Sequence, residues 1–420
     1  MFHRHVLLPV LLLLSLMAAS CTGPQGEAGP VGPAGVAGPL GPVGPAGEDA
    51  TASQTFIGAA QCGSCHEEIY ARFVLTGHAN ALSAISDQPP AFPYDQVTNG
   101  LPEPPTGYTW GDISYVIGGF GWMARFVDTS GYVITGDTAQ YNFANENLEL
   151  AASWAAFHPG EQVAFDCARC HTTGYAAQGR QDNREGVVGT WVYEGVQCEK
   201  CHGPGSRHAE DPQGVRMVID RSAQLCGHCH VRDDKAIMDA SNGFAEHNQQ
   251  FSDLYNSKHF ALDCVTCHDP HASARFADEQ LNPNKGIGQV CQACHWEQAV
   301  VQNVSRHGRV TCIQCHMPLM AKSAVGDLDT FTADIRAHQF AINPDPAAPQ
   351  FSEDGAQVMP YLTLTYVCGQ CHNGDFADVK EPAVMEAAAR GYHTWIPPTA
   401  TPTPTPEATA VPEATPTPQP

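Results

Sequence analysis

The chain has 420 residues, with 21 Lys and Arg against 44 Asp and Glu, a net charge of −23, 17 cysteines and 20 histidines. A chain this acidic repels phosphate backbones, which excludes nucleic-acid binding as its function. Its length allows one large or two ordinary domains, and the odd number of cysteines indicates that one of them has a separate role.

Residues 1–20 have the pattern of an export signal of the lipoprotein type. A short basic start is followed by an apolar run that is too short to span a bilayer, and no other apolar stretch reaches that length. Small residues at 18–20 precede Cys21, as at the lipobox where a bacterial lipoprotein is cleaved and acylated. We expect a lipid on Cys21 that anchors the protein to the outer face of the cell membrane, at the cell surface or in the periplasm. The alternative is ordinary signal cleavage nearby, which would leave Cys21 as a free thiol.

Residues 21–50 contain a strict glycine triplet. Glycine occupies every third position from 23 to 47, and proline is frequent between the glycines. Because only glycine fits the crowded axis of a collagen triple helix, this period predicts a collagen-like stalk. Such a stalk would assemble three chains into a homotrimer; the alternative is a stiff single-stranded spacer.

Residues 396–420 alternate proline with threonine, alanine and glutamate. This composition cannot bury a core, so we expect a disordered, Pro/Thr-rich tail. The predicted folded domain is therefore residues 56–395.

Sixteen of the seventeen cysteines form eight C-x-x-C pairs, and a histidine directly follows each pair. C-x-x-C-H is the attachment motif of c-type haem, in which the sulfurs form thioethers to the haem vinyl groups and the histidine ligates the iron. Zinc knuckles and disulfides also use paired cysteines, but neither explains a histidine after every pair. The sequence therefore predicts eight covalently bound haem c groups and their irons. The attachment sites, each given as two cysteines and a proximal histidine, are Cys62, Cys65 and His66; Cys167, Cys170 and His171; Cys198, Cys201 and His202; Cys226, Cys229 and His230; Cys264, Cys267 and His268; Cys291, Cys294 and His295; Cys312, Cys315 and His316; and Cys368, Cys371 and His372.

The spacing of the motifs predicts the architecture. Successive first cysteines are 105, 31, 28, 38, 27, 21 and 56 residues apart, so the macrocycles must supply much of the hydrophobic core. We expect a mainly α and irregular multihaem cytochrome c fold, with short helices and long loops around packed haems.

The first gap holds a different kind of sequence, rich in aromatic and β-branched residues, at 107–143. It predicts a small β-rich element with a hairpin that turns at residues 129–131. We expect this element to pack against the first haems, and the alternative is a substrate-binding role.

Each iron has a second face, and ten histidines remain once those of the motifs and of the export signal are set aside. Eight haems need at most eight distal ligands, so every iron can have two histidines, which favours electron transfer over chemistry at the metal. His158 and His228 are expected to be non-ligands, and any other candidate could instead be a surface histidine. Local sequence favours five candidates first, His78, His208, His259, His271 and His307, and then three more, His247, His338 and His393.

Two segments carry a family resemblance. Residues 196–208 (VQCEKCHGPGSRH) and 264–271 (CVTCHDPH) resemble the multihaem cytochromes c of the cytochrome c-552/c-554 type. The resemblance covers residues 58–318. It implies electron carriage by stacked haems whose distal histidines come from remote segments, with His208 and His271 at the family's ligand positions. The chain departs from that family in having eight sites rather than four, and in its collagen-like stalk.

Three functions remain open at this point. The first is an exported octahaem cytochrome that carries electrons between a membrane-linked donor and an envelope or extracellular acceptor. Because the chain is acidic, its redox partner proteins should present basic patches. The second is an octahaem oxidoreductase that acts on a small inorganic nitrogen or sulfur compound at one five-coordinate haem. The third is a subunit of a surface cytochrome filament or stalked array.

Overall fold

The computed structural model describes residues 54–93, 101, 103–232, 234 and 236–394. The predicted export signal, Cys21, the glycine triplets and the Pro/Thr-rich tail lie outside the described residues. Within the described part of the chain, no helix has both the length and the apolar character needed to cross a membrane.

The helices are short, and most of them carry or flank an attachment motif. A motif spans one helical turn, so its two cysteines (i and i+3) and its histidine (i+4) lie on one face of that turn. The helices are α1 (Ala59–Gly63), α2 (Glu67–Phe73), α3 (Ala168–His171), α4 (Cys198–His202), α5 (Ser206–Glu210), α6 (Ala223–Gly227), α7 (Gln250–Tyr255), α8 (Trp296–Val304), α9 (Cys312–His316), α10 (Leu364–Cys368) and α11 (Pro382–Gly391). Single 3₁₀ turns occur at Trp110–Asp112, Glu146–Leu148, Gln181–Asn183, Cys264–Thr266, Cys291–Ala293 and Tyr392–Thr394.

A seven-stranded antiparallel sheet fills most of the first gap between motifs. The order β1-β2-β3-β4-β7 is extended by β5, which pairs with β3 and β6. The predicted hairpin is present between β3 and β4, where Gly131 adopts a φ of 93° that favours glycine. The sheet is larger than the expected element at 107–143, because strands on both sides of that segment join it. Its strands are β1 (Leu82–Ala84), β2 (Ile113–Gly118), β3 (Met123–Asp128), β4 (Tyr132–Val133), β5 (Gly136–Asn142), β6 (Ser153–Phe157) and β7 (Val163–Ala164).

The two faces of this sheet are buried against different parts of the chain. On β3, Ala124 and Phe126 belong to an apolar cluster that includes Phe276. Val127 belongs to a second cluster, which includes Ala168 and has Cys167 packed against it. Because side chains alternate along a strand, the second face of the sheet packs on the second attachment motif.

A second sheet, of four strands, was not predicted from the sequence. Its order is β10-β11-β12-β13, with β11 and β12 parallel and the other pairs antiparallel. It forms the centre of a third apolar cluster, in which Met320 and Leu362 are fully buried. Two further two-stranded pairs complete the β structure of the described residues. The strands are β8 (Thr172–Thr173), β9 (Tyr193–Glu194), β10 (Ala240–Ser241), β11 (Phe244–Glu246), β12 (Leu319–Asp327), β13 (Thr332–Arg336), β14 (Ile342–Asn343) and β15 (Leu362–Thr363).

One long segment has no apolar core of its own. Between Phe276 and Met320, which are both buried, Pro318 is the one apolar side chain of the described residues that is buried. This segment carries the sixth and seventh motifs. The short helices and loops around attachment motifs agree with the predicted multihaem fold.

Candidate haem-binding sites

The motif histidines are fixed by backbone hydrogen bonds within their own helical turns. The amide of His66, for example, donates to the carbonyl of Cys62 at 2.9 Å, and the amide of His372 donates to that of Cys368 at 2.8 Å. None of the sixteen described cysteines forms a disulfide. Each motif thus presents two free sulfurs and an imidazole together, as thioether attachment and iron ligation require.

Seven of the eight motif histidines face a second histidine ring from outside the motifs. The ring centroids are 5.8 to 6.3 Å apart, and each motif histidine faces a different partner. The pairs are His66 with His208, His230 with His78, His202 with His271, His295 with His259, His268 with His338, His372 with His307, and His316 with His393.

This separation fits a metal between two imidazoles. A ligating nitrogen lies about 2 Å from its metal, and the ring centroid lies about 1 Å further back, so two rings across one metal have centroids about 6 Å apart. The residues present therefore fit one haem iron in each of the seven gaps.

Several motif and partner histidines also have their Nδ1 atoms in hydrogen-bonding contact. Nδ1 of His171 lies 2.8 Å from the carbonyl of Ala81, and that of His316 lies 2.7 Å from the carbonyl of Phe340. A carbonyl at Nδ1 fixes the tautomer and leaves Nε2 free for a metal. Comparable contacts from Nδ1 to a carbonyl or amide oxygen occur at His202, His208, His230, His338 and His372.

Burial favours the neutral, metal-binding form of the more enclosed histidines. Desolvation, together with the charge of a neighbouring histidine, lowers the pKa of His78 and of His338 to about 4. An imidazole that stays neutral at ordinary pH is available as an iron ligand.

His171, in the second motif, has a different environment. Burial and the nearby charge of Arg125 lower its pKa. The same two causes lower the pKa of His247 to about 4. His247 is the one favoured distal candidate that does not face a motif histidine in a ring pair, so it is the candidate left for the second site.

Arg125 is the centre of a polar patch on the sheet face that packs on the second motif. Its Nε donates to Oε1 of Gln140 at 2.8 Å, and Nε2 of Gln140 donates to Oδ1 of Asn142 at 2.7 Å. The guanidinium lies 4.0 Å from the centre of the Phe157 ring. Among the described residues, no carboxylate lies within 4 Å of the Arg125 guanidinium. This patch could not be predicted from the sequence, where the one indication is the unusual placement of a cation and two amides in a β-rich segment.

Apolar side chains next to the motifs are left uncovered by protein. Phe260, beside His259, is 68% exposed, and Trp296, which follows His295, is 63% exposed. Val290 precedes the sixth motif and is also exposed. Large apolar groups rarely cluster at a protein surface without a partner, and a macrocycle attached at each motif would cover them.

Cysteines of different motifs lie near enough to interact electrostatically, which gives the spatial order of the sites. The first motif lies next to the third, the third next to the fourth, and the fourth to eighth follow in sequence order. The second motif joins this row at the fourth, so the row has a branch there. The neighbouring cysteines in the described residues are Cys62 and Cys198, Cys201 and Cys226, Cys170 and Cys229, Cys226 and Cys264, Cys267 and Cys294, Cys291 and Cys312, and Cys315 and Cys368.

The two histidines expected to be non-ligands lie apart from these pairs. His158 is exposed and contacts Glu161 at 2.9 Å. His228 lies inside the fourth motif, where its carbonyl accepts a hydrogen bond from Arg169.

Comparisons with known proteins agree with the motifs. The family model described as "Cytochrome c554 and c-prime" matches residues 138–203, and the model described as "Doubled CXXCH motif" matches residues 259–300. The dissimilatory sulfite reductase MccA of Wolinella succinogenes is 23% identical over 399 residues, which covers 70% of this chain and 55% of that protein. The multiheme cytochrome MtrA of Shewanella baltica is 26% identical over 210 residues, covering 43% of this chain and 57% of that protein.

The chain thus spans little more than half the length of either relative. Among solved structures, the octaheme sulfite reductase MccA of Wolinella succinogenes superimposes with a TM-score of 0.58 at 18% identity, over 81% of this chain and 72% of that one. At this identity the superposition concerns the fold and not the activity. The eight motifs, the family matches and the shared fold identify the chain as a multihaem c-type cytochrome.

Proposed function

We propose that the chain is an exported octahaem cytochrome that carries electrons along a row of haems with two histidine ligands each. The observation that carries this proposal is the set of seven opposed histidine pairs, each joining a motif histidine to one from a distant part of the chain. An iron with two histidine ligands has no free position for a substrate and exchanges electrons only.

The proposed ligand set follows from the geometry of the pairs. The motif histidines are the proximal ligands, and His78, His208, His259, His271, His307, His338 and His393 are the distal ligands of the seven paired sites. His247 is proposed as the distal ligand of the second site, on the evidence of their shared neighbour Arg125. When bound, the haems supply one-electron chemistry, and the protein supplies their order and environment.

The order of the cysteines supports transfer along the whole chain. Adjacent sites have their attachment residues side by side, so successive macrocycles are neighbours. The row runs from the first site through the third and fourth to the eighth. Electrons entering at one end therefore have a continuous route to the other end, with the second site as a side branch.

The location and partners are proposed from the sequence. A lipid on Cys21 would hold the protein on the outer face of the cell membrane, and the collagen-like stalk would carry it as a homotrimer. A membrane-linked donor would reduce it, and an envelope or extracellular acceptor would oxidise it. Because the net charge is −23, both protein partners should present basic patches, and their association should weaken with salt.

The test is to count the haems and their spin states. A pyridine haemochrome assay should give eight haem c per chain, and low-temperature EPR of the oxidised protein should show low-spin iron throughout. A count other than eight, or a stoichiometric high-spin haem in the wild-type protein, would contradict the proposal.

One observation favours a second candidate function, reduction of a small oxyanion at the second site. Among the described residues, His171 has no opposed histidine ring at about 6 Å, and the half-buried guanidinium of Arg125 near it has no carboxylate within 4 Å. A half-buried cation without a carboxylate partner, beside an open iron, suits a negatively charged ligand such as a sulfur or nitrogen oxyanion. The likeness to a protein named as a sulfite reductase supports this candidate, although the chain spans only 55% of that protein.

Two variants separate the candidates. If His247 is an iron ligand, His247→Ala should convert one low-spin haem to high spin, whereas Arg125→Gln should leave all haems low spin. If the second site is open, wild-type protein should bind sulfite or nitrite at a high-spin haem, Arg125→Gln should weaken that binding, and His247→Ala should leave the spin count unchanged.

A further inference from the structure

The described C-terminal segment is held to the rest of the protein by few hydrogen bonds. No residue of α11 is buried. Among the described residues, the hydrogen bonds of α11 and of the turn after it are internal, as between Arg390 and Glu386, with one exception. That exception is the hydroxyl of Tyr392, which lies 2.7 Å from Oε1 of Gln302 and 2.8 Å from Oγ of Ser305. Among the described residues, it is the one hydrogen-bonding anchor of residues 381–394, which we call the clasp.

The clasp also carries the partner of a motif histidine. His393 directly follows Tyr392, and its ring lies 5.8 Å from that of His316, in the seventh motif. The Tyr392 ring lies 5.1 Å from the His393 ring and 5.9 Å from the ring of His307, which faces the eighth motif. One side chain thus contacts the distal histidines of the last two sites.

The anchor point of Tyr392 is itself part of the support of these sites. The side-chain amide of Gln302 donates to the carbonyls of His307 and Val310, just before the seventh motif. Ser305 Oγ donates to the carbonyl of Gln302 at 2.8 Å. The anchor point is therefore held by several hydrogen bonds within residues 302–310, whereas the clasp has one hydrogen-bonding anchor.

We propose that the seventh site is a gated ligand-binding haem, closed by His393 and opened when the clasp detaches at Tyr392. This inference rests on the proposed histidine pair at that site. A segment with no buried side chain and one hydroxyl anchor opens locally at a small fraction of the free energy of global unfolding. Opening would withdraw His393 from a haem iron bound there, and that iron would then be open to a small molecule that binds end-on, such as cyanide or nitric oxide. His393 is itself exposed, so such a ligand has direct access from solvent.

The test compares cyanide binding by three full-length holoprotein variants with that of the wild type. Tyr392→Phe keeps the ring but removes the anchoring hydroxyl. If the lost hydrogen bonding lowers the free energy of opening by about 1.4 kcal/mol, cyanide should bind about tenfold faster at one haem. His393→Ala should leave one additional haem high spin in the oxidised protein, which then binds cyanide without a gating delay. Thr394→Ala is the matched control, because Thr394 bonds only within the clasp, to the carbonyl of Gly391, and should behave as the wild type.

The outcomes are distinct. If His393→Ala adds no high-spin haem, His393 is not a ligand and the inference fails. If His393→Ala opens a site but Tyr392→Phe binds cyanide at the wild-type rate, Tyr392 is not the anchor and the gate as stated is wrong. A high-spin haem already present in the wild-type protein would contradict the proposed function and point to an open second site. It would not change the differences in cyanide binding and spin state between the variants and the wild type.

Discussion

The carboxylate of Asp269 lies 3.1 Å from Nδ1 of His271. His271 is the proposed distal ligand of the third site, where its ring is within 4° of parallel to that of His202. Asp269 is held in turn by Arg72, whose Nη1 lies 2.7 Å from Oδ2. Among the described opposed pairs, this is the one histidine with a carboxylate at hydrogen-bonding distance from Nδ1, whereas His202, His208, His230, His316, His338 and His372 meet carbonyl or amide oxygens there.

This contact predicts a low reduction potential at the third site. A carboxylate at Nδ1 raises the basicity of the imidazole, which stabilises the oxidised iron. Asp269→Asn should therefore raise the potential of one haem, and Arg72→Gln, which leaves the carboxylate without its counter-charge, should lower it. Spectroelectrochemical titration measures both shifts, and Asp354→Asn, on an exposed loop, is the control. Shifts of the same sign in the two variants would contradict the electrostatic argument.

The angles between paired imidazoles predict the EPR spectrum. Parallel imidazole planes split two iron d orbitals strongly and give rhombic low-spin signals, whereas crossed planes leave them nearly degenerate and give highly anisotropic signals. We expect signals of both classes. The nearly parallel pairs are His202 with His271 (4°), His66 with His208 (15°) and His316 with His393 (23°), and the crossed pairs are His307 with His372 (84°), His259 with His295 (76°) and His78 with His230 (67°).

Two matched substitutions assign these signals. His208→Ala should remove intensity from the rhombic class, and His307→Ala should remove it from the highly anisotropic class, each with the appearance of one high-spin haem. If both variants lose intensity from the same class, the arrangement of rings across the irons differs from the one described.

Glu199 is expected to be a stability determinant of the third motif. Its buried carboxylate accepts hydrogen bonds from the backbone amides of Ile57, Gly58 and Gly205, at 2.7 to 3.0 Å. Glu199→Ala would leave three buried amides without acceptors, which should lower the free energy of unfolding by about 3 kcal/mol. Thermal unfolding and proteolysis near Ile57 measure the loss, with the exposed Glu210→Ala as control. Equal stability of the two variants would contradict the expected role.

The repeated features of the fold could be predicted from the sequence because each one recurs with fixed spacing. Eight C-x-x-C-H motifs specify eight helical turns, whatever the rest of the chain does. The β-rich character of 107–143 was visible in its aromatic and β-branched residues. The full extent of that sheet was not, because β1 and β7 are two or three residues long and join only through long-range pairing. The sheet formed by β10 to β13 could not be predicted either, because the nine residues of Leu319–Asp327 lack a regular alternation of apolar and polar side chains.

The candidate haem sites could likewise be predicted only in part from the sequence. A count of histidines selected eight distal candidates, and the structure brings seven of them opposite motif histidines. The pairing itself could not be predicted, since His66 and His208 are 142 positions apart and only tertiary structure brings them together. Arg125 and Glu199 were missed for a related reason. Their roles depend on how far they are buried and on which groups they contact. Neither property can be predicted from an arginine in a strand or a glutamate inside a motif.

The segment between Phe276 and Met320 is expected to depend on haem for its structure. Pro318 is the one buried residue among its described apolar side chains, so the macrocycles of the sixth and seventh sites must provide its core. Preventing attachment there, with Cys291→Ala and Cys294→Ala combined with Cys312→Ala and Cys315→Ala, should abolish amide protection in hydrogen–deuterium exchange across residues 277–319.

The matched control is Cys167→Ala with Cys170→Ala, because the second motif packs on the sheet through Phe165 and Ala168, both fully buried. That variant should keep the protection of β2, β3 and β5 despite losing its haem. Retained protection of 277–319 without its two haems would show that the segment folds through protein contacts alone, and the role of the macrocycles as core would then be wrong.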